Sequence, residues 1–194
     1  MKQPAPRVVV FAGPNGAGKS THADAILAEL RIPTFVNADY IARGLAGQQA
    51  QTVALAAGRI MLNRLRELSA ARADFAFEST LSSRSFHPFL QRLKQQGYHV
   101  AIFYFALSSS GLALRRVKHR VAQGGHSVPA EDIKRRFGRS LSNFFRLYAD
   151  VANEWMVFDN SSGTTAQAVA HLRNGQLIVE DPKRWKRLQT LARS

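Results

Sequence analysis

Eight consecutive residues near the start of the chain, Gly13-Pro14-Asn15-Gly16-Ala17-Gly18-Lys19-Ser20, fit the pattern G-x-x-x-x-G-K-[ST]. Such a run is a cradle for phosphate. Its glycines let backbone N–H groups converge on phosphate oxygens with no Cβ in the way. The lysine brings a full positive charge to the terminal phosphates, and the serine hydroxyl is an oxygen ligand of the kind Mg²⁺ prefers. Thr21 extends the same nucleotide-contacting turn. The run follows Val8-Val9-Val10-Phe11-Ala12, a continuously apolar strand signal, and precedes a helix predicted from about Lys19 to Leu30. The helix N-terminus then points its partial positive charge at the same oxygens. This strand–loop–helix context separates the pattern from a chance glycine-rich turn.

Two carboxylates stand at the ends of further short strands. Asp39 follows Thr34-Phe35-Val36, and Glu78 follows Phe75-Ala76-Phe77. Open α/β sheets bind ligands beyond the carboxyl ends of their strands, so Lys19, Asp39 and Glu78 are expected on one rim. Phosphoryl transfer needs positioning, charge neutralisation and one carboxylate to take the proton of the attacking hydroxyl. Asp39 is assigned as that base. Glu78 is expected to hold the acceptor or to order Mg²⁺ and its waters together with Ser20. Thr80 and Arg84 are expected on the acceptor side. The plainer alternatives are that Asp39 caps a helix and that Glu78 serves the metal alone.

A third group is cationic. Leu112, Arg116, Val117 and Arg120 belong to a predicted helix ending at Gly124-Gly125, and His126-Ser127-Val128 leads to Pro129 at the first position of a second helix. Glu131 and Asp132 fall in its first turn, and Ile133, Phe137, Leu141, Phe144 and Tyr148 form its apolar stripe. Two arginine-bearing helices joined by Gly-Gly read as a hinged lid over a triphosphate, residues 112–143. Arg120 and Arg136 are the arginines assigned to phosphate, and His126 is a lid or substrate contact. A solvated basic face is the alternative for the rest. Asn160, in Asp159-Asn160-Ser161 after the fifth strand, is assigned to the nucleotide base.

The elements that must position these groups alternate. Tyr98 to Phe105 is the strongest strand signal, Glu154 to Phe158 is the fifth strand, and helices are predicted over Gln51 to Ala70 and from Phe86 to near Gly97. The expected fold is α/β: a three-layer αβα P-loop NTPase domain with a mostly parallel five-stranded sheet. A C-terminal hairpin turning at Asn174-Gly175 and a basic helix opening at Asp181-Pro182 follow, over residues 166–194. No linker or repeat interrupts residues 1–194, so one domain is expected. The chain has no cysteine, which excludes disulfides and thiolate metal sites. Its short apolar runs predict neither a leader nor a membrane span, and a cytoplasmic protein is expected. The net charge of +14 concentrates anions: nucleotides, nucleic acid or acidic proteins.

With the phosphate loop, Asn37-Ala38-Asp39, Glu78-Ser79-Thr80 and Gly124-Gly125-His126-Ser127-Val128-Pro129 in this order, the chain resembles the zeta-toxin family from roughly Arg7 to Ser161. The resemblance implies a kinase using ATP and Mg²⁺ to phosphorylate the sugar of UDP-N-acetylglucosamine or a related nucleotide sugar. It also implies Lys19 as the phosphate-loop lysine, Asp39 as base, Glu78 on the substrate side, Arg120 as a lid arginine, and an acidic antitoxin as a partner. The chain is shorter than the well-known toxins, and His126 stands where their lid carries a second arginine. Competing expectations are a kinase acting on NAD or a polynucleotide 5′-hydroxyl, and a nucleotide-binding switch that hydrolyses ATP slowly. No basic stripe interleaved with exposed aromatics marks the chain as a single-strand binder.

Overall fold

Five parallel strands bring the phosphate loop and both carboxylates to one edge of a sheet. In the computed structural model, which describes residues 4–47, 52–125, 127–162 and 165–193, these are β1 (Arg7–Ala12), β2 (Phe35–Val36), β3 (Phe75–Ser79), β4 (His99–Ala106) and β5 (Glu154–Asp159). Their spatial order is β2-β3-β1-β4-β5. β6 (Gln167–Arg173) and β7 (Gln176–Val179) add antiparallel beyond β5. The expected hairpin therefore continues the main sheet to seven strands. Its turn places Asn174 at φ 52° and Gly175 at φ 74°, the pair of positive φ values a two-residue hairpin loop demands.

Helices cover both faces: α1 (Lys19–Leu30), α2 (Ala38–Ala46), α3 (Ala54–Ala70), α4 (Phe86–Gln95), α5 (Ser110–Ala122), α6 (Ala130–Asn143), the short α7 (Ala149–Val151) and α8 (Pro182–Arg193). Strand alternation sorts the core into two. Val8, Val10 and Ala12 of β1 pack with α3, α4 and α8 through Leu65, Leu90 and Leu188. Val9 and Phe11 face α1 and α5 through Ala23, Leu27 and Val117. All five of these β1 side chains are essentially sealed from water, each large one worth about 1.5–3 kcal/mol by burial. This explains why β1 reads as an unbroken apolar run: it is buried on both faces.

Helix α6 departs from expectation at two points. The predicted stripe of α6 divides between the two cores: Ile133 and Phe137 join the α1/α5 side, whereas Leu141, Phe144 and Tyr148 join the other. The helix passes into a π-helical turn over Phe144–Tyr148 as it crosses. Pro129 sits at the N-cap of α6, one position before the expected one. Among the described residues no helix is long and apolar enough to cross a membrane.

Candidate phosphate-transfer site

The loop between β1 and α1 is shaped by backbone that only glycine tolerates. Gly13, Gly16 and Gly18 have φ of 135°, 75° and 81°. A Cβ on Gly13 would strike the Phe105 carbonyl oxygen, and one on Gly18 the Asn160 side-chain amide. Gly18 is the N-cap of α1 and no side chain caps it, so the leading N–H groups of the helix face the loop interior. Lys19 is 5% exposed. Its Nζ donates to the Pro14 carbonyl at 3.1 Å and lies 3.3 Å from Glu78 Oε1. A cleft of about 680 Å³ opens over this loop.

Glu78 is the hub of the site. Its register partner on β1 is Phe11, which places it beside the start of the phosphate loop. Its Oε2 accepts from Ser20 Oγ at 2.6 Å and from Asn37 Nδ2 at 2.9 Å. Both carboxylate oxygens are thus turned toward the loop lysine and serine. The Ser20 hydroxyl and the Glu78 carboxylate offer hard oxygen donors beside the Lys19 ammonium, a set that fits Mg²⁺.

Asn37 carries a role the sequence reading left unassigned. Its Oδ1 accepts from Asp39 N at 2.8 Å and Tyr40 N at 3.4 Å, which makes Asn37 the N-cap of α2. Asp39 is not the cap but lies in the first turn of α2, the helix that the capping alternative supposed. Freed of that task, the Asp39 carboxylate is half-exposed, with Oδ2 4.0 Å from Arg120 Nη1. Asn37 itself is buried and joins Glu78 to the first turn that carries Asp39.

The segment after β3 forms the next part of the rim. Leu81 is fully buried at φ 51°, a left-handed conformation that costs a branched residue of order 1–3 kcal/mol. Asn143 Nδ2 donates to the Leu81 carbonyl at 2.9 Å and Tyr148 Oη to that of Ser83 at 2.6 Å. Burial pushes the Tyr148 phenol up to about 12, so it stays a donor across the physiological range. Within the held loop, Thr80 Oγ1 lies 2.8 Å from Ser82 Oγ, and Arg84 is exposed.

Across the cleft stands α5. Arg115, Arg116, His119 and Arg120 line it, and Arg116 also donates to the Gly16 and Ser161 carbonyls at 3.4 Å each. Arg136 is placed elsewhere: on α6, with Nη2 3.6 Å from Asp132 Oδ2 and outside the cleft lining. His126 lies outside the described residues. Asn160 is buried behind the loop, donating to the Ala17 carbonyl at 2.9 Å, with its Oδ1 unpartnered among the described residues. His22 lines the cleft and stacks on Phe105 at 5.1 Å between centroids. Arg116 and Arg120 each follow a buried residue, Ala113 and Val117, by three positions, and the i,i+4 spacing sets them on one face of α5. Nothing in the local sequence marks His22.

The zeta-toxin family model matches residues 1–166. A Haemophilus influenzae protein described only as uncharacterized is 28% identical over 135 residues, 68% of this chain and 92% of that one. Among solved structures, the AvrRxo1-ORF1:AvrRxo1-ORF2 complex, determined with sulphate and also with ATP, superposes with a TM-score of 0.78 at 15% identity. The match covers 95% of this chain and 63% of that one, so this chain spans under two thirds of that relative. The PezAT toxin–antitoxin system of Streptococcus pneumoniae superposes with a TM-score of 0.62 at 16% identity, over 100% of this chain and 90% of that one. These structures share the αβα P-loop kinase fold, and the matched sequence carries the phosphate loop, Asp39 and Glu78. The chain belongs to the zeta-toxin family.

Proposed function

We propose that the chain is an ATP-dependent kinase that transfers the γ-phosphoryl group to a hydroxyl of a nucleotide-like small molecule, a nucleotide sugar such as UDP-N-acetylglucosamine. The carrying observation is the arrangement Lys19–Glu78–Asn37–Asp39, in which one ion pair and two hydrogen bonds link a phosphate cradle to the helix turn bearing the half-exposed Asp39 carboxylate. Lys19, the loop N–H groups and Arg120 hold the triphosphate. Asp39 takes the proton of the acceptor hydroxyl as its oxygen bonds to the γ-phosphorus. The bond from that phosphorus to the β,γ-bridging oxygen breaks, and ADP leaves. Ser20 and Glu78 would hold Mg²⁺, which neutralises phosphate charge when bound.

The placement of the phenylalanines favours a small acceptor over a polynucleotide. All twelve phenylalanines are buried or half-buried, so none of them offers an open ring for a single strand to stack on. Thr80 and Arg84 are assigned to the acceptor side of the rim, and His126 is assigned as an acceptor contact. The ATP-bound relative supports ATP as donor, and PezAT supports an antitoxin as partner. At +14, this chain would attract an acidic one, in the cytoplasm where nucleotide substrates are found.

The test incubates purified protein with Mg·ATP and a panel of UDP-N-acetylglucosamine, other UDP-sugars, NAD and a short oligonucleotide. Mass spectrometry should find a UDP-sugar heavier by one phosphate and the oligonucleotide unchanged. Phosphorylation of the oligonucleotide alone would overturn the small-molecule reading, and ADP release with every acceptor intact would leave only an ATPase.

A further inference from the structure

We propose that Asp159, clamped by Arg184 and Arg187 of α8, is a positioning residue for the nucleotide site, holding Asp159–Ser161 against the back of the phosphate loop. The inference rests on the kinase reading above and extends it to arginines beyond the residues the family model matches.

Asp159 ends β5 and is 4% exposed, a position where a carboxylate is costly unless paired and hydrogen-bonded. Its two oxygens serve different parts of the molecule. Oδ2 accepts from Arg187 Nη2 at 2.6 Å and lies 3.3 Å from Arg184 Nε. Oδ1 accepts from the Ser161 backbone N–H at 2.9 Å and also from the Ser161 hydroxyl. One oxygen therefore holds the helix and the other holds the loop.

The loop in turn holds the phosphate cradle. Asn160 donates from its backbone to the Ala106 carbonyl at 3.0 Å and from its side chain to that of Ala17 at 2.9 Å. Ser161 Oγ accepts from Ser108 N at 2.8 Å, and its carbonyl accepts from Arg116, which also reaches Gly16. The backbone at Gly16 and Ala17 is thus braced by a segment whose anchor is α8. Strand pairing fixes β5 only as far as Asp159, so the two residues beyond it depend on these bonds.

The helix is a firm anchor. Asp181 Oδ1 accepts from Arg184 N at 2.9 Å at the head of α8, and Asp181 Oδ2 pairs with Arg184 Nη1 at 2.9 Å. Leu188 and Ala192 are buried in the sheet core, and Trp185 stacks on Trp155 at 5.7 Å. The two arginines also cancel a negative charge that would otherwise stand behind a triphosphate.

The experiment measures Mg·ATP affinity of the full chain by calorimetry, alongside melting temperature and tryptophan emission. Trp155 and Trp185 are the chain's two tryptophans and stack on each other, so their emission reports docking of α8 directly. Arg187→Ala should weaken Mg·ATP about tenfold and Arg187→Lys should recover most of that loss. Ser161→Ala, which leaves the helix contacts untouched, should weaken Mg·ATP several-fold with emission unchanged and melting temperature only slightly lowered. Wild-type affinity in Ser161→Ala and Arg187→Ala, with only melting and emission altered in the latter, makes the clamp purely structural and overturns the inference. A wild-type protein that binds no Mg·ATP, indistinguishable from Lys19→Ala, overturns the kinase reading and this inference with it.

Discussion

Asn37 and Glu78 share a hydrogen bond of 2.9 Å that joins the two halves of the site. The amide's nitrogen orients the carboxylate facing Lys19 and Ser20, and its oxygen caps the helix that presents Asp39. One buried side chain thus ties the Glu78 carboxylate beside the phosphate loop to the helix turn that carries Asp39.

Asn37→Ser should separate the two tasks. Serine caps helices about as well as asparagine, so stability should change by under about 1 kcal/mol. The contact to Glu78 is lost, and phosphoryl transfer should fall roughly 10–100-fold, as for other residues that orient a metal ligand. Thermal melting and initial rates check both halves. Full activity in Asn37→Ser would reduce Asn37 to a cap.

Glu78→Gln keeps the shape and removes the charge. With the carboxylate turned toward Ser20 and Lys19, the variant should need more Mg²⁺ for half-maximal rate, with the acceptor KM little changed. Rates across a Mg²⁺ titration and an acceptor titration decide this. A raised acceptor KM at unchanged Mg²⁺ dependence would return Glu78 to the substrate side.

The phosphate loop was legible because its signal is local: eight adjacent residues flanked by a strand and a helix. The parallel sheet followed from apolar strand runs, and the edge bearing Lys19, Asp39 and Glu78 from a general rule about strand ends. What escaped depends on residues meeting across distance. Asn37 looks like an ordinary polar residue until Glu78, 41 positions away, is placed opposite it. Arg120 and Arg136 look alike in a basic stretch, yet one faces the cleft and the other pairs with Asp132. The α6 stripe gave its helix but not the crossing from one core to the other, since periodicity records a face and not what covers it.

The two arginines should behave differently in kinetics. Arg120→Ala should cost on the order of 10³-fold in transfer, by analogy with arginines that neutralise a transferring phosphoryl group. Arg136→Ala should stay within about twofold, as expected for loss of a surface ion pair. Steady-state rates on purified variants measure both. A large loss in Arg136→Ala would mean that α6 swings over the cleft during turnover.

Gly13→Ala tests the loop's backbone without touching its charges. The added Cβ would meet the Phe105 carbonyl oxygen at a φ of 135°, so the variant should melt lower and bind Mg·ATP poorly. Melting curves with and without Mg·ATP show it: the wild type should be stabilised by ligand and the variant should not. A variant with wild-type melting and ligand shift would mean that β1 and β4 yield easily at this point.

The most direct measurement is single-turnover phosphoryl transfer by Asp39→Asn against Mg·ATP binding by the same variant. The Asp39 carboxylate makes no cap bond and lies beyond the loop that grips the triphosphate, so Mg·ATP affinity should remain within about threefold. Transfer should fall by roughly 10²–10⁴-fold, the contribution of a positioned general base. Near wild-type transfer from Asp39→Asn would contradict Asp39 as the base and, with it, the arrangement proposed for the reaction.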